Sequence, residues 1–563
     1  MYKLKNSHFY VYLILLIGII SLIAYYLFKI QLNFGPLWDT CDFLILALEF
    51  TGKELGYVDL IRPPVMPFLT SIFFRLGYIS ENIIYAIDGF LFIFGAIGLY
   101  LLFNLRFGPF KSFLGCLLYS TFPIMLFYIS IGLSDIPSVS FSIYAIYFTI
   151  LAFNKDSKFF YLAFPFMIIS FLTRYPMALI IFPLFFYMLI KRDQIKNSIN
   201  LSKNLILGMI LALLVILPFF IWSYVKFGNP LYPFIPSFNV TTGVSSVELF
   251  YYNPDTLYFL KKLPFLVGGV SFAIILTTVF MFIFYGIKSK FWLKLNLNNY
   301  IHDTSLKSNK IKVSMLIFLI SLFVFTFGTI FYMLSEFIFL AICLLSYELL
   351  KNSKYNNLDI DLLFFSWFMT FFIFHSVHVI KDLRYFVTMA PAFSYFLILG
   401  LNSISTKFKL NFKGKNIAFQ IISVFLIIGL LFSTTNALMD LKKGSTKDSE
   451  VKDIISLSAW LKNYDPNYKT KIIYSDYYPY STWYLKTDIK IMPILKDNKE
   501  IYSPLKNLNL DREDFKQYEH KLQTNNADYY FCVNTKVHLS SYKIINKFGD
   551  VYIYQKCNDS VKY

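Results

Sequence analysis

Residues 9–28 read FYVYLILLIGIISLIAYYLF: twenty positions without a charge, following Lys3 and Lys5. A bilayer-spanning helix needs about 20 predominantly apolar residues, so this stretch predicts a membrane span. Its basic start resembles a signal peptide. The run is longer than a signal core and lacks a small-residue cleavage site, so it reads as a retained first span.

The same pattern repeats along most of the chain. Apolar runs fall at 9–30, 82–104, 111–131, 136–153, 158–173, 176–190, 204–226, 264–287, 312–332, 334–350, 361–380, 385–402 and 416–438, which makes thirteen candidate spans. The run Val65–Phe74 is too short to cross and is expected at the interface or packed in the bundle. Composition agrees: of 563 residues, 57% are hydrophobic and 15% charged, against about 25% charged in soluble domains. The sequence therefore predicts a polytopic α-helical membrane protein.

The net charge of +18 raises nucleic-acid binding as a class. The basic residues sit instead in short loops between apolar runs, as the positive-inside rule describes. With a cytoplasmic N-terminus, the inner loops hold Arg106 and Lys111, Lys155 and Lys158, Lys191 to Lys203, Lys288 to Lys312, Lys351 and Lys354, and Lys407 to Lys415. The large first external loop, 31–81, carries more Asp and Glu than Lys and Arg; Lys261, Lys262, Lys381 and Arg384 are outer exceptions. No nucleic-acid partner is expected, and the bilayer is the solvent.

Residues 1–440 form the expected transmembrane domain and 441–563 a second unit, where charges and turn residues return. Glu450–Tyr464 has helical periodicity through Ile454, Ile455, Leu457 and Leu461, and Asp511–Leu522 reads as a helix. Lys471–Tyr474, Lys490–Ile494, Tyr529–Val533 and Val551–Tyr554 read as strands. The alternation predicts a small α/β domain, extracytoplasmic if the span count is odd. Of five cysteines, Cys41, Cys116 and Cys343 share no metal-ligand spacing, while Cys532 and Cys557 suit either a disulfide or two free thiols. Asn239-Val240-Thr241 and Asn558-Asp559-Ser560 are external sequons.

On this topology the scarce charges share one side. Asp39, Asp42, Glu49, Glu54, Asp59 and Arg62 lie in the first loop, Asp135 in the next outer turn, and Arg174 at the outer end of the fifth span. His375, His378, Lys381, Asp382 and Arg384 gather between the eleventh and twelfth. Charges at membrane depth usually face a cavity or a partner. A carboxylate can take a proton from a hydroxyl or amine, and Arg or Lys can hold a phosphate. Together they suit attack on a sugar carbon whose leaving group is a lipid phosphate.

Each residue also has a plainer reading. Asp39 and Asp135 suit helix caps, Arg174 suits snorkelling to headgroups, and Asp382 suits a structural pair with Arg384. Glu49, Glu54 and Asp59 read as surface charges. His375 and His378, three apart on one helical face, permit a metal pair but show no third ligand, so interior histidines are the simpler reading.

Trp38-Asp39-Thr40-Cys41-Asp42-Phe43, Gly56-Tyr57 and Arg62-Pro63-Pro64-Val65-Met66-Pro67-Phe68 together resemble the first external loop of the GT-C superfamily of polyprenyl-phosphate-sugar glycosyltransferases, which includes protein O-mannosyltransferases and the aminoarabinose transferase of lipid A. Ser134-Asp135-Ile136-Pro137 resembles that superfamily's second acidic motif. Thr173-Arg174-Tyr175-Pro176, Phe227-Gly228-Asn229-Pro230-Leu231-Tyr232-Pro233 and Arg384-Tyr385-Phe386 with Pro391 look like further landmarks. Thirteen spans with an external α/β domain resemble several prokaryotic members. One departure stands out: Thr40 occupies the place of the second acid, leaving Asp42 as the other carboxylate.

The resemblance implies an inverting transfer from a polyprenyl (dolichyl-type) phosphate donor to a glycan, lipid or protein acceptor. It implies catalytic roles for Asp39, Asp42 and Asp135, and substrate binding by Arg62, Arg174, Lys381, Arg384 and His378. Some members use a divalent cation, Mg or Mn, and others do not. Two other classes compete. A transporter or flippase would place charges at mid-membrane in discontinuous helices, and a scaffold would need no carboxylate-lined cavity. Convergence of Asp39, Asp135 and Arg384 in one pocket separates the enzyme from the scaffold.

Overall fold

The computed structural model describes residues 7–53, 55–56, 61–235, 253–288, 305–352, 356–408, 410–412, 415–444, 449–497, 499–501, 510–533 and 536–557. Glu54, Tyr57, Asp59 and the two sequons lie outside the described residues. Helices follow in the order α1 (Ser7–Phe34), α2 (Trp38–Glu49), α3 (Val65–Arg75), α4 (Glu81–Asn104), α5 (Pro109–Thr121), α6 (Pro123–Tyr128), α7 (Asp135–Asn154), α8 (Phe160–Thr173), α9 (Ile181–Ile190), α10 (Arg192–Asn197) and α11 (Ile199–Phe227). Then come α12 (Tyr258–Lys261), α13 (Leu263–Lys288), α14 (Ser305–Thr326), α15 (Tyr332–Leu350), α16 (Leu358–Val377), α17 (Ala390–Lys407) and α18 (Ala418–Lys443).

All thirteen apolar runs fall mainly on helix. Among the described residues eight helices are long and apolar enough to cross a bilayer: α1, α4, α7, α11, α13, α15, α16 and α18. The remaining runs are shorter or interrupted. Pro123 breaks the third run into α5 and α6, because it has no N–H and holds Phe122 extended (ψ 133°). The run beginning at Lys312 lies on α14, whose first third carries Lys307, Lys310 and Lys312. The spanning helices sort by burial. α4, α7 and α16 are mostly enclosed, while α1, α11, α13 and α18 turn most of their surface outward, as helices against lipid do.

The loop 31–81 is more ordered than expected. Half of it folds as α2 and α3, which pack on each other, on α4 and on α8. Thr40–Leu48 of α2 is entirely buried. That helix lies under the C-terminal domain, which adds α19 (Ser449–Tyr464), α20 (Tyr478–Leu485) and α21 (Arg512–Thr524). After a two-stranded ribbon before α18, β1 (Asn411–Phe412) and β2 (Lys415–Asn416), the domain's five-stranded sheet runs in the order β4 (Ile489–Ile491), β3 (Ile473–Ser475), β7 (Tyr529–Cys532), β9 (Val551–Lys556), β8 (Tyr542–Phe548). The first three strands are parallel and the last two antiparallel to their neighbours. Ile454, Leu457 and Leu461 of α19 are fully buried, as their spacing predicts. Asp511 opens α21 with a reciprocal capping box to Asp514.

One expected strand changes, one helix is added, and one open alternative is not met. Lys490–Ile494 is not one strand. After Met492 donates to the Ser475 carbonyl, Pro493 has no N–H to continue the ladder. The chain then turns into a separate ribbon of β5 (Ile494–Lys496) and β6 (Lys499–Ile501). The aromatic segment of α20, YPYSTWYL, carries no clear period and was not foreseen as helix. Cys532, buried in β7, and Cys557, exposed, are not joined to each other, so the disulfide alternative is not realised.

Candidate active site

The site begins in the first turn of α2. Leu37 is the N-cap residue and its side chain caps nothing, so Asp39 is inside the helix and not its cap. Asp39 and Asp42 stand three residues apart and share a face. Arg62 closes that face. Its Nη2 donates to Asp39 Oδ1 (3.0 Å), while Nε and Nη2 both reach Asp42 Oδ2 (2.9 and 2.6 Å). Arg62 follows Ile61, whose carbonyl accepts from the Tyr175 hydroxyl (3.1 Å), which fixes the end of the loop.

Arg384 arrives from the segment between α16 and α17. Its Nη1 donates to Asp39 Oδ2 at 2.8 Å, and its Nε pairs with Asp382 Oδ2 at 3.1 Å. The expected Asp382–Arg384 pair therefore exists, but the guanidinium is shared with Asp39. Arg174 pairs with Asp135, the first residue of α7, so it does not snorkel. The Tyr385 ring joins the two halves: the Arg174 and Arg384 guanidiniums lie over it at 5.2 and 5.8 Å, and His375 stacks against it at 4.8 Å. Asp39, Asp135 and Arg384 thus meet in one cluster, the arrangement a scaffold does not require.

Exposure separates the two carboxylates of α2. The Asp42 side chain is wholly buried, whereas that of Asp39 is 23% exposed, with Arg62 and Arg384 similarly open. Burial alone would raise the Asp39 pKa. The charges of Arg62 and Arg384 overcome it and hold the carboxyl well below the usual carboxylate range.

Thr40 points away from this cluster. It is fully buried, and its hydroxyl donates to the Ile131 carbonyl (3.1 Å). An acid in its place would enter the core, so the second carboxylate belongs to Asp42. The turn it touches leads into Asp135. Gly132 sits there at φ +80°, and a Cβ on it would lie 2.9 Å from Thr40 Cγ2, which explains the glycine. Gly132 N donates to Asp88 Oδ2 (2.9 Å). Asp88 was overlooked in the sequence, although a carboxylate inside a span is itself a signal of special structure.

Three expectations for side chains near the site are corrected. Lys381 does not face the cluster. Its Nζ is spent on the carbonyls of His375, Ser376 and His378 at the end of α16. Burial pushes its pKa down to about 8. The His378 ring accepts from Ile380 N (3.0 Å) and is held in the same turn, and His375 is buried with Nε2 beside Thr388 Oγ1 (3.2 Å). Neither histidine forms a metal pair. Glu49 is not a surface charge, since its side chain is 6% exposed and pairs with Lys226.

Glu49 also lines a cavity of about 900 Å³ between the α2–α3 region and α8 and α11. Its walls include Val65, Phe68, Leu172, Phe219 and Trp222, with Arg75 as a second charge. Pro64, two residues after Arg62 in sequence, lines it too. Among the described residues no three His, Cys, Asp or Glu side chains are grouped to hold a metal ion. Asp39 and Asp42 are each matched by a guanidinium.

Comparisons with known proteins fit this arrangement. Residues 61–222 match the family described as dolichyl-phosphate-mannose-protein mannosyltransferase. Curated protein sequences provide no match. The fold is similar to ArnT from Cupriavidus metallidurans bound to undecaprenyl phosphate, with 12% identity and a TM-score of 0.57 over 97% of this chain and 98% of that one. It is also similar to the archaeal oligosaccharyltransferase AglB from Archaeoglobus fulgidus, in complex with an inhibitory peptide and a dolichol-phosphate. There the identity is 14% and the TM-score 0.52, over 94% of this chain and 70% of that one.

Proposed function

We propose that this chain, a GT-C superfamily member by its fold and its matched segment, moves a sugar from a polyprenyl (dolichyl-type) phosphate to a hydroxyl or amine of a glycan, lipid or protein acceptor. The matched segment and the shared fold support the resemblance carried by the loop motifs. The multi-pass membrane setting follows from the eight long apolar helices. The basic loops between apolar runs support a cytoplasmic N-terminus, and with the odd total of thirteen runs this reading puts the reaction and the C-terminal domain on the external face.

The observation that carries this reading is the pair of arginines converging on one partly open carboxylate, Asp39. In the proposed reaction Asp39 takes the proton of the acceptor hydroxyl or amine. The acceptor atom bonds to the anomeric carbon as the bond from that carbon to the lipid-phosphate oxygen breaks, with inversion. The departing lipid phosphate keeps the electron pair, and Arg384 and Arg62 stabilise its charge. Asp42, closed to solvent, anchors Arg62. Asp135 and Arg174 hold the far side of the site through Tyr385.

A carboxylate paired with two arginines is a weak base. Donor binding resolves this, because a lipid phosphate competes for the same guanidiniums. Once they turn to the phosphate, the Asp39 pKa rises toward the range where it accepts a proton well. The apolar hollow beside Pro64 suits a prenyl or acyl chain of one substrate.

The test supplies purified protein with labelled polyprenyl-phosphate sugars and host membranes, comparing wild type with Asp39→Asn. Transfer by the wild type alone is expected. Equal transfer by both would remove Asp39 from the chemistry, and no transfer from any polyprenyl-phosphate sugar would sink the enzyme reading.

A further inference from the structure

The helix that carries Asp39 and Asp42 has its hydrophobic core partly outside the membrane domain. Phe43, Leu44, Ile45 and Leu48 of α2 share one continuous apolar cluster with Leu457 and Leu461 of α19, Ile473 of β3 and Ile553 of β9. Trp38, immediately before Asp39, is the pivot of this contact. Its ring meets three tyrosines at the start of α20 edge-on: Tyr477 at 5.7 Å, Tyr478 at 5.4 Å and Tyr480 at 6.1 Å. Edge-to-face pairs at these distances are each favourable and directional.

Two further contacts close the same joint. Trp483 of α20 stacks on Phe74 of α3 at 6.1 Å, and its Nε1 donates to Glu81 Oε2 at 3.1 Å. On the other side Gly56, at φ +66°, lets the α2–α3 connection press against the C-terminal domain. A Cβ there would lie 2.8 Å from Asp488 Oδ2. The helix that carries Asp39 and the start of the α2–α3 connection therefore both rest against the C-terminal domain.

We propose that the C-terminal domain is a positioning element for this site, and that Trp38, clamped by Tyr477, Tyr478 and Tyr480, is the residue through which it sets the pose of Asp39. This deepens the glycosyltransferase reading and rests on it for its catalytic meaning. The mechanical link from α20 to α2 stands on the packing alone. α2 has twelve residues, short enough to be marginal as an isolated helix, so its order depends on what covers it. Losing the clamp frees its first turn, and with it the carboxylate that Arg62 and Arg384 share.

The experiment uses full-length protein in lipid nanodiscs, with Trp38→Leu, Tyr478→Leu and the double variant. Hydrogen exchange reads the link without any ligand. Tyr478→Leu, which leaves α2 itself untouched, is expected to speed exchange of the α2 amides by about tenfold or more while those of α16 stay at the wild-type rate. Binding of undecaprenyl monophosphate reads the arginine geometry. Each single change is expected to weaken it about tenfold, and the double variant to be within about twofold of either. Trp38→Phe, which keeps an edge-on ring, is expected to recover most of both.

Unchanged α2 exchange in Tyr478→Leu overturns the proposal. So does a double variant whose loss is the product of the two single losses, because Trp38 would then touch the ligand itself. Faster α2 exchange in Tyr478→Leu, with no undecaprenyl monophosphate binding even by the wild type, supports the link and counts against the enzyme reading instead.

Discussion

Arg384 Nη1 lies 2.8 Å from Asp39 Oδ2 across 345 residues of sequence. The contact ties α2 to the segment before α17, and it makes Asp39 the more accessible carboxylate of α2 and the one that two arginines share. Asp39→Asn keeps the shape and removes the basicity. Transfer is expected to fall about 10²–10⁴-fold, the usual loss on removing a general base. Binding of undecaprenyl monophosphate should hold or tighten, because two guanidiniums lose a competing carboxylate. Titration of the lipid phosphate beside the transfer assay checks both halves; weaker binding in the variant would contradict the competition.

Arg384→Lys separates charge from shape. One guanidinium serves Asp39, Asp382 and the Tyr385 face. A lysine ammonium is a point charge without the planar fork. Binding of the lipid phosphate is expected to weaken about tenfold or more despite the conserved charge. Wild-type affinity in the lysine variant would show that the fork is not used.

Much of this was legible in the sequence. The apolar runs located the helices, because a bilayer demands about 20 apolar residues in succession whatever the neighbours are. The motifs brought Asp39, Asp135, Arg174 and Arg384 forward because each charge stands out against an apolar background. What the sequence hid was direction. Lys381 sits three residues from Arg384 yet points at helix carbonyls, and Thr40 sits beside Asp39 yet points into the core. The α20 segment was hidden for another reason. Its pattern answers to the aromatic joint with Trp38 rather than to a helical period of its own.

Asp42 should behave differently from Asp39. Its side chain is wholly enclosed and accepts both Nε and Nη2 of Arg62. Asp42→Asn leaves a buried, partly unsatisfied contact, for which a cost of about 1–3 kcal/mol of stability is expected. Transfer should fall through a higher KM for the donor, because Arg62 loses its anchor while Asp39 remains. Thermal unfolding and donor kinetics distinguish this from a direct role, in which kcat would collapse at unchanged KM.

Lys381→Ala tests the reassignment of that residue. Its ammonium group joins three carbonyls that end α16, where cations are favoured. A loss of about 1 kcal/mol in stability is expected, with undecaprenyl monophosphate affinity within about twofold of wild type. A loss of affinity without a loss of stability would return Lys381 to the substrate site.

The pH dependence follows from the same ion pairs. Arg62 and Arg384 overcome burial to hold the Asp39 carboxyl well below the usual range in the unliganded protein. A lowered folded-state pKa contributes stability above the unfolded value of about 3.9, and that contribution is lost only as pH falls through the lower folded value. The acid limb of kcat/KM, which reports the free enzyme, should therefore lie below the ordinary carboxylate range. With donor bound, the arginines belong partly to the phosphate and the Asp39 pKa rises. The acid limb of kcat, which reports the complex, should then sit at higher pH. Paired pH–rate profiles decide the matter. Coincident limbs would mean that the arginines never leave Asp39, and the base would have to be sought elsewhere in the cluster.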